Sequence, residues 1–294
     1  MRAALIVNPY SSRVTPDRMD EVQRVLARSV ELETLTTERS RHAVELAREA
    51  GREHDAILVF SGDGTFNEVL NGVDRPVPLG FVPGGRTNVL PRALGLPRDA
   101  LAAAGRIGEA LERGRTRTIS LGRVNGRRFA FAAGLGADAE LIRRIDERGR
   151  AHDGRLPGDF IAGWVLLRQL AEHRGRYEPE LEIEGFGRAA FALVANGPAY
   201  TYVGPLPLRF APAARFELGL DLAAPVSTRV RTFVRAAGGA LRKRPVDGVL
   251  YGHDLDRIDV VCSGPTPLQT DGEDLGDVTE AHFEAERNAV AVLV

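Results

Sequence analysis

Ser61-Gly62-Asp63-Gly64-Thr65-Phe66-Asn67-Glu68 decides how the rest of this chain reads. It follows Ala56–Phe60, an unbroken apolar run that predicts a strand buried on both faces. It leads into a helix expected from about Thr65 to Leu70. Upstream, Ala3–Val7 reads as a strand, Pro16 to about Ser29 as an amphipathic helix and Val30–Leu35 as a strand. Arg41–Ala50 reads as the next helix, with Ser40 as its N-cap. Downstream, Val77–Val82 is a predicted strand, and Asn88–Leu94 and Arg98–Arg113 are predicted helices. This alternation predicts a parallel sheet covered by helices.

Ligands of such a sheet bind outside the carboxyl ends of its strands. The loops in that position are Asn8–Ser12, Thr36-Thr37-Glu38, Ser61–Glu68 and Pro83–Asn88. Glycines let the backbone approach a ligand, and amides at a helix N-terminus bind phosphate oxygens without a lysine. For any single loop a tight strand–helix turn is reason enough for the glycines. Four convergent loops favour a polyphosphate site. Asp63, between two glycines, is placed to hold Mg²⁺ directly or through water, or to form an Asx-turn, and the residues alone are compatible with both.

Beyond Arg115 the texture changes. Ile119–Val124 and Arg127–Ala133 flank Asn125-Gly126, a strong hairpin signal because both turn residues tolerate positive φ. Further strands are expected at Leu181–Glu184, Ala190–Ala195, Arg215–Leu222, Val249–Tyr251, Arg257–Cys262 and Ala289–Val294, with helices at Phe160–Ala171 and Ser227–Leu241. The expected division is an α/β domain over 1–117 and a mostly antiparallel β domain over 118–294.

Composition excludes several classes. The chain has 294 residues, 44% of them apolar, and a net charge of −1, which does not recommend nucleic acid as a partner. Cys262 is the sole cysteine, so no intramolecular disulfide or cysteine-rich zinc site can form. Six histidines never fall at the i, i+4 spacing of a helical metal pair. No apolar run approaches the roughly 18 residues of a transmembrane helix, and the N-terminal run is too short for a signal peptide. A cytoplasmic protein with peripheral membrane contact is the expectation. Lys243 is the only lysine and lies far from any glycine-rich loop, which rules out a P-loop NTPase and a protein kinase.

Ser61–Gly72, SGDGTFNEVLNG, closely resembles the signature of the diacylglycerol kinase catalytic-domain family, which includes bacterial lipid kinases and sphingosine and ceramide kinases. The resemblance continues, in order, through NPYSS at Asn8–Ser12, PGGRTN at Pro83–Asn88, GLGADAE at Gly134–Glu140, APAARFELGLDL at Ala211–Leu222 and QTDGE at Gln269–Glu273. It implies an N-terminal nucleotide-binding α/β domain, a C-terminal β-sandwich and an active site in the cleft. It implies ATP contacts from Asn8, Ser11, Thr37, Ser61, Gly62, Asp63, Gly64, Thr65, Asn67, Glu68, Gly85, Arg86 and Asn88, with Mg²⁺ at Asp63. Asp271 is implied as general base, with Glu273 as its neighbour. On spacing alone, Asp271-Gly272 reads as a surface turn. Asp138 resembles an acidic position that lines the lipid head-group region in sphingosine kinases; a helix N-cap before Ala139–Ile145 is the equal alternative.

Some residues depart from the family pattern. Arg86 stands where a threonine is expected, Val89 where an aspartate supports the metal network, and Glu217-Leu218 where an Asp-Gly pair is associated with a structural Mg²⁺. Phe129, Phe131, Trp164 and Leu167 are candidates for an acyl-chain cavity or for ordinary core. Two arginine clusters, Arg143/Arg144/Arg148/Arg150/Arg155 and Arg229–Arg244, offer attraction to anionic lipid or simply a solvated face. The expected activity is MgATP-dependent phosphorylation of a lipid hydroxyl at a membrane surface, on a diacylglycerol-like or sphingoid substrate. A homodimer is compatible with this reading. The alternatives are an NAD kinase, which shares GDGT, and a nucleotide- or lipid-binding protein of low activity.

Overall fold

The computed structural model describes residues 1–151, 180–227 and 246–294. The helix expected at Phe160–Ala171 lies outside these residues, as does nearly all of that expected at Ser227–Leu241. The chain divides into two compact units, Met1–Leu121 with Arg287–Val294, and Gly122–Glu286. A single boundary near residue 117 does not contain that return of the last residues to the first unit.

In the first unit β1 (Arg2–Val7), α1 (Pro16–Leu26), β2 (Glu31–Thr36), α2 (His42–Glu53), β3 (Ala56–Ser61), α3 (Asp63–Gly72), β4 (Leu79–Pro83), α4 (Val89–Ala93) and α5 (Ala100–Glu112) follow in turn. The strands run parallel in the order β2-β1-β3-β4. Every residue of β3 and β4 is buried, as their continuous apolar character requires when helices cover both faces. Val22, Leu26, Ala104, Ile107 and Leu111 of α1 and α5 pack with Leu5, Leu58 and Phe60 in one cluster. Phe66 of α3 meets Phe81 edge-on, with ring centroids 5.1 Å apart. Thr15 caps α1 through the Arg18 amide, and Asp99 caps α5 through those of Leu101 and Ala102.

Ser40 does not cap α2. Arg41 occupies that position at φ +62° and makes no side-chain cap bond. The cap comes from α3, where the two Glu68 carboxylate oxygens accept from Arg41 N at 3.1 Å and Ala43 N at 3.2 Å. A donor pair 27 and 25 residues from its acceptor carries no local signature.

The second unit takes up β5 (Thr116–Val124) at Gly122 and adds β6 (Arg127–Phe129), β7 (Ala132–Leu135), α6 (Ala137–Ala151), β8 (Leu181–Ile183), β9 (Gly187–Ala189) and β10 (Ala192–Ala195). There follow β11 (Thr201–Val203), β12 (Leu206–Leu208), β13 (Leu220–Pro225), β14 (Val249–Leu255), β15 (Arg257–Thr270) and β16 (Glu273–Leu293). Its main path is β14-β13-β10-β7-β15-β16, antiparallel at each pairing. Phe129, Leu135, Val194, Leu222, Val260 and Phe283 share its core. Asn125 and Gly126 take φ +47° and +86° and close the β5–β6 hairpin, as their identity predicted.

Two strand expectations are corrected. Arg215–Leu222 becomes strand only from Leu220, with the preceding residues in turns. Arg127–Ala133 is interrupted at Ala130-Phe131, because the amides of Ala130, Phe131 and Ala132 turn to a carboxylate instead of continuing a ladder. Phe129 is fully buried edge-on to Phe283 and belongs to the core, whereas Trp164 and Leu167 lie outside the described residues.

Candidate active site

The first unit ties three of its loops into one hydrogen-bonded knot. Ser11 Oγ lies 2.9 Å from Ser61 Oγ and accepts from Gly62 N at 3.2 Å. Thr65 Oγ1 accepts from Ser61 Oγ at 2.7 Å and from Asn8 Nδ2 at 3.2 Å. The fourth-strand loop joins through Gly84 N, which donates to Ser61 O at 2.6 Å, and through Gly84 O, which accepts from Arg13 N at 3.0 Å. Asn88, in the left-handed region, holds that loop closed by exchanging side-chain bonds with Gly85 N and O, each 2.8 Å.

Glycine is required where the loops meet. A Cβ on Gly85 would lie 2.7 Å from the Gly62 Cα, and one on Gly62 3.3 Å from the Gly85 Cα. The side of Gly64 is open, with nothing within 4 Å of an added Cβ. Gly62 caps α3 in an extended conformation and supplies no side chain to its first-turn amides. A helix start without its own cap, behind an open glycine, is the geometry that receives a phosphate.

Asp63 takes a structural role. Its Oδ2 accepts from Val89 N at 2.9 Å and its Oδ1 from Leu90 N at 3.1 Å, so the carboxylate caps α4 across the loop. Val89, where an acidic residue was expected, is buried and takes its place in the cap through its amide. Among the described residues no group of three or more His, Cys, Asp or Glu side chains could hold a metal ion. Thr37 is buried, with its amide on Val7 O at 2.9 Å, and Asn67 is buried with its Oδ1 on Asn71. Arg86 is exposed.

In the second unit Asp271 and Gly272 form the two-residue turn between β15 and β16, at φ +50° and +85°. The Asp271 carboxylate accepts from the amides of Ala130 at 2.6 Å, Phe131 at 3.0 Å and Ala132 at 3.1 Å. Three successive amides converging on one anion form a nest that fixes the side chain within the turn. Asn196 supports the segment from behind, donating to Ala130 O at 2.7 Å. Glu273 pairs with Arg127 at 2.5 Å, and Asp274 takes a two-pronged contact from Arg143 Nε and Nη2 at 2.9 and 3.0 Å. Arg144 pairs with Glu140 on its own helix. Arg155 and the whole second arginine cluster lie outside the described residues.

Asp138 lies in α6 rather than before it. Tyr200 Oη donates to its Oδ1 at 2.6 Å and Gln269 Nε2 to its Oδ2 at 2.7 Å. Burial pushes the Asp138 carboxyl up, while these two bonds pull the other way. Burial, and then the Asp138 charge, push the Tyr200 hydroxyl well above its ordinary value. Tyr200, Asn196, Arg127 and Arg143 were not anticipated as site residues. The glutamine of QTDGE was the one available signal for Gln269.

The fold defines a class of two-unit chains, a helix-covered parallel sheet followed by an antiparallel strand-rich unit. A crystal structure of a diacylglycerol kinase from Bacillus anthracis str. Sterne has this fold, with TM-score 0.73 and 20% identity over 99% of this chain and 96% of that one. An NAD kinase from Archaeoglobus fulgidus, solved in complex with ATP, is more distant, with TM-score 0.53 and 15% identity over 100% and 94%. Residues 2–124 match the family described as Diacylglycerol kinase catalytic domain. A diacylglycerol kinase of Bacillus subtilis is 31% identical over 281 residues, covering 92% of this chain and 89% of its own. The chain belongs to the diacylglycerol kinase family. No helix among the described residues is long and apolar enough to cross a membrane.

Proposed function

We propose that this protein transfers the γ-phosphoryl group of ATP to the hydroxyl of a lipid, with a diacylglycerol-like glycerolipid ahead of a sphingoid base. The observation that carries this reading is the knot of Asn8, Ser11, Ser61 and Thr65 around the Gly62–Gly85 contact, in a chain of this family. It presents the start of α3, to which the N-cap Gly62 gives no side chain, and the open side of Gly64 to a polyphosphate without any lysine. Gly62 and Gly64 admit the phosphates closely. Gly85 and Asn88 shape the opposite wall, and Arg86 is a forked donor within reach of solvent-borne phosphate oxygens. Thr37 and Asn67 support the pocket from buried positions.

Asp271 is proposed as the group that accepts the lipid hydroxyl proton. The amide nest fixes its position, with Glu273 as its neighbour, and positioning is the larger part of phosphoryl-transfer catalysis. Mg²⁺ is proposed to ride on the nucleotide's phosphates, with Asp63 reaching it through water while its two oxygens cap α4. The lipid is met at a membrane surface by a protein acting from the cytoplasm.

The test is transfer from radiolabelled ATP to mixed lipid extract and, separately, to NAD, with Asp271→Asn beside the wild type. Lipid-dependent transfer, reduced about a hundredfold or more by Asp271→Asn, is expected. Absence of lipid-dependent transfer by the wild type at any Mg²⁺ concentration sinks the lipid kinase reading. Transfer to NAD would favour the NAD kinase alternative. ATP binding without turnover would favour a low-activity binding protein, the reading that exposed Arg86 and buried Val89 support.

A further inference from the structure

We propose that Asp138, through Gln269, is a positioning group for the Asp271-Gly272 turn and not a contact to the lipid. This rests on the reading of Asp271 as the proton acceptor. Gln269 is 1% exposed and uses both ends of its amide. Its Oε1 accepts from Gly272 N at 2.9 Å, and its Nε2 donates to Asp138 Oδ2 at 2.7 Å. The backbone N–H of Gly272 can only donate, so the glutamine oxygen must face the turn. Its NH₂ must then face α6, and whatever stands there must accept. A carboxylate satisfies this demand with either oxygen, and Tyr200 holds the other one.

An independent feature shows that the site is built for this contact. A Cβ on Gly134 would fall 2.0 Å from Asp138 Oδ2 and 2.9 Å from Gln269 Nε2. Any residue other than glycine there would displace the bond itself, which gives the first glycine of Gly134-Leu135-Gly136 its reason. Arg143, five residues along the same helix, grips Asp274 on the far side of the turn. α6 therefore reaches both flanks of the hairpin that carries Asp271. With both of its oxygens bonded within the protein, Asp138 is placed to orient and not to bind.

The experiment combines hydrogen exchange over residues 268–274 with steady-state kinetics, in wild type, Gln269→Leu, Asp138→Ala and Asp138→Asn. In Asp138→Asn the side-chain oxygen still accepts from Gln269, while its NH₂ donates to a Tyr200 hydroxyl that turns to accept. Gln269→Leu and Asp138→Ala are expected to speed exchange in the turn. They should also lower kcat about tenfold with KM held, the equivalent of one lost hydrogen bond. Asp138→Asn is expected to rescue the exchange protection and most of kcat. Unchanged exchange in Gln269→Leu and Asp138→Ala overturns the proposal. So does a rise in lipid KM in Asp138→Asn at wild-type kcat, the mark of a head-group contact. A changed exchange rate with no transfer by the wild type would leave the tie standing and remove the kinase reading alone.

Discussion

Asp63 and Glu68, five residues apart in one signature, both leave their own helix to cap another. An N-terminal turn offers amides that lack helical partners, and a carboxylate adds charge where the helix dipole is positive. Each cap is worth about 1 kcal/mol, up to about 2. Asp63→Ala and Glu68→Ala are therefore expected to lower unfolding free energy by that amount, read from urea titrations without nucleotide or metal. Asp63→Asn, which keeps an acceptor, should lose less. Were metal binding the main role of Asp63, stability without metal would be unmoved by Asp63→Ala. At this scale the sequence announces that aspartate is special between two glycines, but not whom it serves. The partner amides lie 26 and 27 residues away and only folding brings them within 3.1 Å.

α3 shows why a helix boundary and a helix contact are different problems. That a helix follows β3 is legible from the apolar run that stops at Phe60, although it begins at Asp63, two residues before the expected Thr65. Its packing is not. A Cβ on Gly72 would lie 2.3 Å from Val44 O and 2.9 Å from the Val44 Cα, so the backbones of α2 and α3 touch there. Alanine is the better helix former by about 1 kcal/mol. Overpacking against backbone, which cannot rotate aside, costs about 1 to 3 kcal/mol, so the collision wins. Gly72→Ala is expected to lower the urea midpoint, and a raised midpoint would show that α2 yields. The β6–β7 break has the same lesson for strands. Arg127–Ala133 has an apolar, strand-like composition, yet three of its amides are drawn to Asp271, 139 to 141 residues further on.

Over the whole molecule, the chain leaves the first unit within β5 and returns to it in the last residues of β16. Val292 pairs in parallel with Leu79, and Leu293 is 1% exposed in the core of β1, β3 and α5. Leu293→Ala should destabilise the first unit by about 2 to 5 kcal/mol, measured by thermal or urea unfolding. A loss below that range would mean that the core is held without the last strand. Charge pairing gives a pH signature in the second unit. The bond that His282 donates to Asp259 holds its imidazole above the ordinary value. That contribution is full below the unfolded value of about 6.5 and is lost as pH rises through the higher folded value. Asp259 is held below the usual carboxylate range, first by Arg257 and then by His282, so its share is lost as pH falls. His282→Gln is expected to flatten the urea midpoint between pH 6 and 9, and only slightly, since both groups meet water. An unchanged profile would dismiss the pair. By itself the sequence determined the alternation of strand and helix, the lysine-free glycine loops and the family, because periodicity, turn chemistry and motif order are local and written in residue types. Only the tertiary structure decided which carboxylates cap, which amides hold Asp271 and what Asp138 touches, because those bonds join residues whose distance in sequence carries no record of their meeting.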